Sequence, residues 1–246
     1  MKLFSPVHCH EIGQRSNNED TIYPSVATEH TRLFIVCDGV GGQAKGEVAS
    51  SMVCRGFSNY ILENPYENIE DETYLTSALQ QVEHNMGDYL ESHPEATGMA
   101  STLTLLLIPD KEEKALIGWV GDSRVYHIRD GEILFQTKDH SVVQSMVDMG
   151  EITEEEAQTH PKRNIITRAI NGANPTRIDQ KIVSEVKKND FFLLCTDGIL
   201  ETLTKKEILE WFKSQASAEE IKSKILAYAK DVTKDNYSMY LVKIAE

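Results

Sequence analysis

Acidic residues standing at the ends of apolar runs are the part of this sequence with the clearest chemical content. FIVCDG and LLCTDG each finish an apolar run with an Asp-Gly pair, Asp38-Gly39 and Asp197-Gly198, and each leads toward a helical pattern. WVGDSR places Asp122 between two further runs, RSNNED supplies the neighbours Glu19 and Asp20, and KDNYS supplies Asp235. Carboxylates from five separate places would repel one another strongly if folding gathered them, unless divalent cations filled the space between them. An all-oxygen donor set without a His-rich or Cys-rich cluster favours hard ions such as Mg²⁺ or Mn²⁺ and disfavours zinc. Two such ions about 3.5–4 Å apart, bridged by one carboxylate, suit the hydrolysis of phosphate esters. Arg15, just ahead of Glu19, offers a cation for the phosphate. Taken singly, each residue has a plainer use: Asp38 and Asp197 can cap the helices that follow, Glu19-Asp20 can be a solvated loop, Asp122 suits a turn, and Arg15 can be a surface charge.

Strands must deliver those carboxylates. LFIVC, from Leu33 to Cys37, reads as a short strand buried on both faces, and Gly39, Gly41 and Gly42 then permit a sharp turn or a close approach to the backbone. Ala49, Val53, Phe57, Tyr60 and Ile61 recur at helical spacing between Gly46 and Ile61, as do Leu75, Leu79, Val82, Met86 and Leu90 from Thr73 onward. Four strand patterns follow with short connections: STLTLLLI, ALIGWV, RVYHIR and EILFQT. Asp130-Gly131, in the last connection, is a strong hairpin signal, and the spacing predicts an antiparallel meander. A polar stretch from His140 to Ala173 reads as mostly helical, followed by strands at Ile178 to Val183 and Phe191 to Cys195. Two more helices, one with Ile208 and Phe212 and one with Ile221, Ile225, Tyr228 and Val232, precede a last strand, MYLVKI. The pattern predicts an α+β fold of two packed antiparallel sheets with helices on the outer faces, in a single domain over residues 1–246.

Composition narrows the function classes. Of 246 residues, 40% are hydrophobic and 26% charged, as in an ordinary soluble globular protein. The 39 acidic against 25 basic residues give a net charge of −14, which repels nucleic acid and anionic lipid and disfavours a metal nuclease. Cys9, Cys37, Cys54 and Cys195 show no CxxC spacing and read as buried free thiols of a reducing compartment. The N-terminus MKLFSPVHCHEIG lacks a signal-peptide core, and no window approaches the ~18–20 apolar residues of a spanning helix, so a cytoplasmic location without membrane contact is expected. His8 and His10 alternate along a strand pattern and read as a surface pair rather than a metal site. Gly39 to Ala44 also fits the G-x-G-x-x-A dinucleotide fingerprint, but two helices and an antiparallel meander follow instead of the parallel strand that fold requires.

In order, RSNNED, CDGVGGQAKGEVAS, STLTLLL, GWVGDSRVYHIRDGEI, DHS, HPKRNIITRAI, FLLCTDGI and KDNYS resemble the motifs of the metal-dependent Ser/Thr protein phosphatases, the PPM or type 2C family, and especially its bacterial members. The resemblance runs from about Glu11 to Ile244. It implies a four-layer α-β-β-α sandwich, helix pairs outside two antiparallel sheets, with a flap near residues 140–173 and the metals in a cleft at one edge of the sheets. It implies Mg²⁺ or Mn²⁺ as cofactor, with Asp38 bridging two ions, Asp197 and Asp235 completing the first, and Glu19 and the Gly39 carbonyl completing the second. Asp20 would hold a metal-bound water, Arg15 would bind the substrate phosphate, and Asn236 would orient a loop or a water. Some bacterial relatives carry a third, looser ion on the residues matching Asp122 and Asp197. The implied activity is hydrolysis of phosphoserine and phosphothreonine by a water or hydroxide activated between the two ions, without a phosphoenzyme. The implied partners are phosphorylated Ser/Thr proteins, in opposition to a Ser/Thr protein kinase, and the enzyme would be a monomer.

In the flap, His160, Arg163 and Arg168 are candidates for phosphopeptide contact. One departure concerns the general acid. Many eukaryotic relatives read DGHGG where this chain has Val40, so acid catalysis must come from metal-bound water or from another residue such as His160, or be less developed. A competing reading is an inactive phosphatase fold that only binds phosphoproteins. Such a protein would have lost metal ligands, and Glu19, Asp38, Asp197 and Asp235 are all present.

Overall fold

Alternation along the apolar runs sets the layers. The computed structural model describes residues 1–41, 45–66, 68–110, 112–230 and 232–246. In β3 (Leu33–Cys37) every residue is buried, but successive side chains enter different cores: Leu33, Ile35 and Cys37 face a helix layer, whereas Phe34 and Val36 face a second sheet. β11 (Phe191–Cys195) repeats the arrangement, with Phe191, Leu193 and Cys195 toward the opposite helix layer and Phe192 and Leu194 toward the first sheet. The period of two in a strand thus makes a continuous apolar run the signature of a middle layer. Burying each of these Phe or Leu side chains contributes on the order of 1.5–3 kcal/mol.

One sheet has the order β1 (Val7–Glu11), β12 (Tyr237–Lys243), β11, β8 (Arg124–Arg129), β9 (Glu132–Gln136). The other has the order β10 (Asp179–Val183), β7 (Ala115–Val120), β6 (Leu103–Leu107), β3, β2 (Thr21–Tyr23). Every pairing is antiparallel. A two-residue ladder joins β4 (Gly39–Val40) to β5 (Ala100–Ser101). The long helices α1 (Gly46–Glu63) and α2 (Tyr74–Ser92) cover the second sheet through Val53, Phe57, Leu79 and Met86. The first is covered by α5 (Asp197–Leu200), α6 (Lys205–Trp211) and α7 (Ala218–Ala229) through Ile199, Ile208, Ile221 and Ile225. Capping boxes start α6 at Thr204 with Glu207 and α7 at Ser217 with Glu220. The result is the expected α-β-β-α sandwich.

Three expectations change. The meander is two hairpins rather than one sheet: β6 pairs with β7 and β8 with β9, but β7 and β8 lie in opposite sheets. The Gly121-Asp122-Ser123 turn therefore carries the chain across the sandwich. Residues 140–173 are mostly irregular, with only α3 (Val142–Asp148) and α4 (Glu154–Thr159) helical. On the last helix, Ile221 and Ile225 are buried as expected, but Tyr228 is 55% exposed and Val232 lies beyond the helix end, 60% exposed. The Asp130-Gly131 turn does form, with φ of 49° and 81° at its two residues. All four cysteines are free and buried. Residues 42–44, which complete the dinucleotide-like fingerprint, lie outside the described residues. Among the described residues, no helix is long and apolar enough to cross a membrane.

Candidate active site

Strand register brings the acidic stations to one edge of both sheets. Cys195, two residues before Asp197, pairs with Arg124 on one side and Met239 on the other, so Asp197 lies near the turn that holds Asp122 and near the Asp235-Asn236 entrance to β12. In the facing sheet Cys37, next to Asp38, pairs with Thr21, next to Asp20. Asp38 feels the charges of Asp20, Asp197, Asp122 and Asp235. Burial first, and then these neighbouring charges, hold its carboxyl well above the ordinary range. The same causes push Asp20 up to about 7 and Asp197 up to about 6, burial leading in both, and burial together with the charges of Asp197 and Asp139 raises Asp122 to about 7. Glu19 is also raised, by burial and then by Glu47.

Hydrogen bonds fix the backbone that carries these groups. The Asp38 N–H donates to Thr102 Oγ1 at 2.9 Å, and the Thr102 N–H donates back to the Asp38 carbonyl at 2.9 Å. Thr102 Oγ1 also meets Ser123 Oγ at 2.8 Å, which ties the Asp38 strand to the Asp122 turn. Asn236 secures the N-terminal loop: its Oδ1 accepts the Glu19 N–H at 2.8 Å, and its Nδ2 donates to the Ile12 and Asn17 carbonyls, each at 2.9 Å. Asp20 Oδ2 accepts Thr196 Oγ1–H at 3.1 Å. Arg15 Nη2 donates to Asp235 Oδ2 at 2.7 Å from a side chain 59% exposed.

The donor chemistry suits hard divalent cations. Asp20 Oδ1, Asp122 Oδ1 and Asp197 Oδ1 are buried oxygens without a hydrogen-bond partner. Such acceptors are costly unless something positive meets them. A second cluster of oxygens forms beside α1: a Cβ added to Gly46 would stand 2.9 Å from Glu19 Oε2 and 2.9 Å from the Gly39 carbonyl oxygen. Both oxygens therefore border the same small space. Among the described residues no three His, Cys, Asp or Glu side chains surround one point as a ready-made cage. Arg15 instead holds Asp235, and one of the inward oxygens belongs to the backbone.

The family model for protein phosphatase 2C matches residues 10–230. The chain belongs to that family. It is 36% identical over 198 residues to the serine/threonine protein phosphatase PstP of Mycobacterium tuberculosis, covering 80% of this chain but only 36% of the length of that relative. It is 31% identical over 232 residues to the serine/threonine phosphatase stp of Listeria monocytogenes, covering 93% of this chain and 91% of that protein. A solved structure of the PstP catalytic domain in complex with two manganese ions superposes with a TM-score of 0.84 at 29% identity, covering each chain completely.

Within this type 2C fold, the sites predicted from sequence separate into two groups. Arg15, Glu19, Asp20, Asp38, Gly39, Asp122, Asp197, Asp235 and Asn236 are linked by the contacts and fields above. The flap residues stand apart. Arg168 Nη1 donates to Asp179 Oδ1 at 2.8 Å and so binds the flap to β10, while His160 Nδ1 accepts the Lys162 N–H at 3.1 Å and Arg163 is exposed. None of the three hydrogen-bonds a carboxylate of the cluster. Val40, at the position where some relatives carry histidine, pairs with Ala100 in the β4–β5 ladder. Sequence reasoning did not single out Thr102 or Gly46. Thr102 sits inside the STLTLLL motif without a mark of its own, and the role of Gly46 is an absent side chain.

Proposed function

We propose that this chain is a metal-dependent phosphatase of phosphoserine and phosphothreonine in proteins. The observation that carries the reading is the convergence of Asp20, Asp38, Asp122, Asp197 and Asp235 at one cleft edge, with buried unpartnered oxygens, beside the exposed guanidinium of Arg15. Asp38, Asp197 and Asp235 would hold one Mg²⁺ or Mn²⁺ ion and Asp38, Glu19 and the Gly39 carbonyl a second, with Asp122 and Asp197 available to a third. When bound, such ions supply Lewis acidity that lowers the pKa of water and offsets phosphoryl charge. Arg15 binds the phosphate: held by Asp235 through one nitrogen, it keeps further N–H donors for the phosphoryl oxygens. Asp20, fixed by Thr196, orients water within the cluster. Asn236 holds the Glu19 loop against the entrance to β12.

The reading extends to a single-domain monomer in the cytoplasm that opposes a Ser/Thr kinase. It is supported by the core that both sheets share, by the helices that cover both outer faces, by four buried free thiols, and by the similarity to the two serine/threonine phosphatases above. The deciding experiment is phosphate release from a phosphothreonine peptide with Mn²⁺ titrated in, EDTA as control and Asp38→Asn alongside. Metal-dependent release that falls at least about a thousandfold in the variant is expected. Silence from folded, metal-loaded wild type would instead favour a phosphoprotein-binding module. Arg15→Ala should raise KM about tenfold while changing the metal titration little, because it removes a phosphate contact. An unchanged KM would refute that role.

A further inference from the structure

The C-terminal end of α1, about 25 Å along the helix from Gly46, opens onto a pocket of about 550 Å³. Three tyrosines form much of its wall. Tyr74 packs against Tyr60 with ring centroids 6.0 Å apart and against Tyr66 at 6.2 Å, the latter pair inclined at 71°. Tyr74 Oη donates to the Asn64 carbonyl at 2.7 Å, which fixes the central ring. All three rings are half-buried, so each keeps part of its surface open to solvent.

Three features give this wall a negative bias. Aromatic faces carry the negative part of the ring quadrupole and attract cations. The carbonyl end of an 18-residue helix carries partial negative charge, and α1 has no basic residue in its last turn, where Glu63 stands instead. On the wall beyond, Asp71 is exposed, and its Oδ1 accepts both the N–H and the Oγ1–H of Thr73, at 2.9 and 2.7 Å. The nearby cations are engaged elsewhere: Lys114 with Glu70 at 2.8 Å and Arg32 with Asp110 at 2.5 Å. Among the described residues, the pocket lining includes no Lys or Arg.

We propose that this pocket is a docking site for a basic segment of a partner protein, with one Lys or Arg side chain seated on the tyrosine faces between Asp71 and the end of α1. Charge complementarity selects that occupant, since the chain carries a net charge of −14 and the pocket concentrates aromatic and negative groups. The site lies at the opposite end of α1 from the carboxylate cluster, so a partner can dock while the cleft remains open.

The test is binding of an unphosphorylated Lys/Arg-rich peptide to the full Mn²⁺-loaded chain, followed by calorimetry, with a neutral peptide and tetramethylammonium as comparison probes. Tyr66→Leu and Asp71→Asn should each weaken the basic peptide about fivefold or more. Tyr74→Phe keeps the ring and should bind like wild type. Hydrolysis of p-nitrophenyl phosphate should be unchanged in all three variants, and all three should still melt cooperatively, with Tyr74→Phe and Tyr66→Leu slightly lower because they lose the bond to the Asn64 carbonyl and a ring contact, respectively. The proposal fails if Tyr66→Leu and Asp71→Asn both bind the basic peptide as wild type does, or if the neutral peptide binds equally well. Uptake of tetramethylammonium without the peptide would also overturn it, by assigning the pocket to a small quaternary ammonium. Binding requires no turnover, so this outcome is independent of the phosphatase reading.

Discussion

A methyl group on Gly46 would stand 2.9 Å from both Glu19 Oε2 and the Gly39 carbonyl oxygen. Gly46→Ala therefore tests whether those two oxygens hold a cation. Alanine favours a helix over glycine by roughly 1 kcal/mol, but a Cβ 2.9 Å from the Gly39 carbonyl oxygen must push that backbone aside, so in the metal-free protein the gain is offset by the clash. Mn²⁺ affinity should nevertheless fall about tenfold or more, as when the surroundings of metal ligands are disturbed. Calorimetric titration with Mn²⁺ separates the two effects, and wild-type affinity in the variant would remove the Gly39 carbonyl from the donor set. The contrast with the aspartates is instructive. Asp38 and Asp197 are legible in the sequence because an apolar run ending in Asp-Gly is unusual. Gly46 acts through atoms it lacks, and Thr102 through a hydrogen bond to a backbone 64 residues away. Nothing in a linear pattern distinguishes either from its neighbours.

At the scale of elements, β8 and β11 are joined by ladder bonds and by a buried ion network at the end away from the carboxylate cluster. Asp190, fully buried just before β11, accepts from Arg129 Nε at 2.6 Å, His127 Nε2 at 2.7 Å and the Lys187 N–H at 2.9 Å. Burial alone would raise this carboxyl, but the hydrogen bonds from Arg129 and His127 outweigh it and bring the pKa down to about 2. A depressed carboxylate stabilises the fold above its unfolded value near 3.9 and loses that contribution as pH falls through its folded value. Asp190→Asn should thus cost about 2 kcal/mol at pH 7, and the gap from wild type should close between about pH 4 and pH 2. Urea denaturation across that range checks it, and a gap independent of pH would sink the ionic explanation. Elements themselves were largely readable. Short continuous apolar runs marked β3 and β11, and Asp130-Gly131 marked the β8–β9 hairpin. The crossing between sheets at Gly121 to Ser123 was not readable, because a short connection looks the same whether its strands pair or separate. The flap misled for a related reason: its polar residues match helix propensity, but it makes its bonds through tertiary pairs such as Arg168 with Asp179.

For the whole molecule, the gathered carboxylates make stability depend jointly on pH and divalent metal. In the metal-free chain, burial and mutual repulsion raise Asp197 to about 6 and Asp20 and Asp122 to about 7, and hold Asp38 well above the ordinary carboxylate range. The folded state then binds protons that the unfolded chain, with carboxyl pKa values near 4, has released. The sign follows from linkage: a carboxyl whose folded pKa is raised favours the fold below its unfolded pKa, and that contribution disappears as pH rises through the folded pKa. In EDTA, the melting temperature should fall as pH is taken from about 5 to about 8, against the opposite but smaller trend from His8 and His140, which burial keeps neutral. Mn²⁺ should restore it, and more at pH 8 than at pH 5, because a cation that binds only the folded chain replaces the protons that the cluster would otherwise need. Asp38→Asn removes the carboxylate that the others crowd, so its EDTA profile should be flatter than that of wild type. A wild-type profile in EDTA that is level or rises over this range would mean that the carboxylates are not packed as closely as their geometry implies. Measured with inert buffers and no substrate, the profile probes the metal centre separately from turnover.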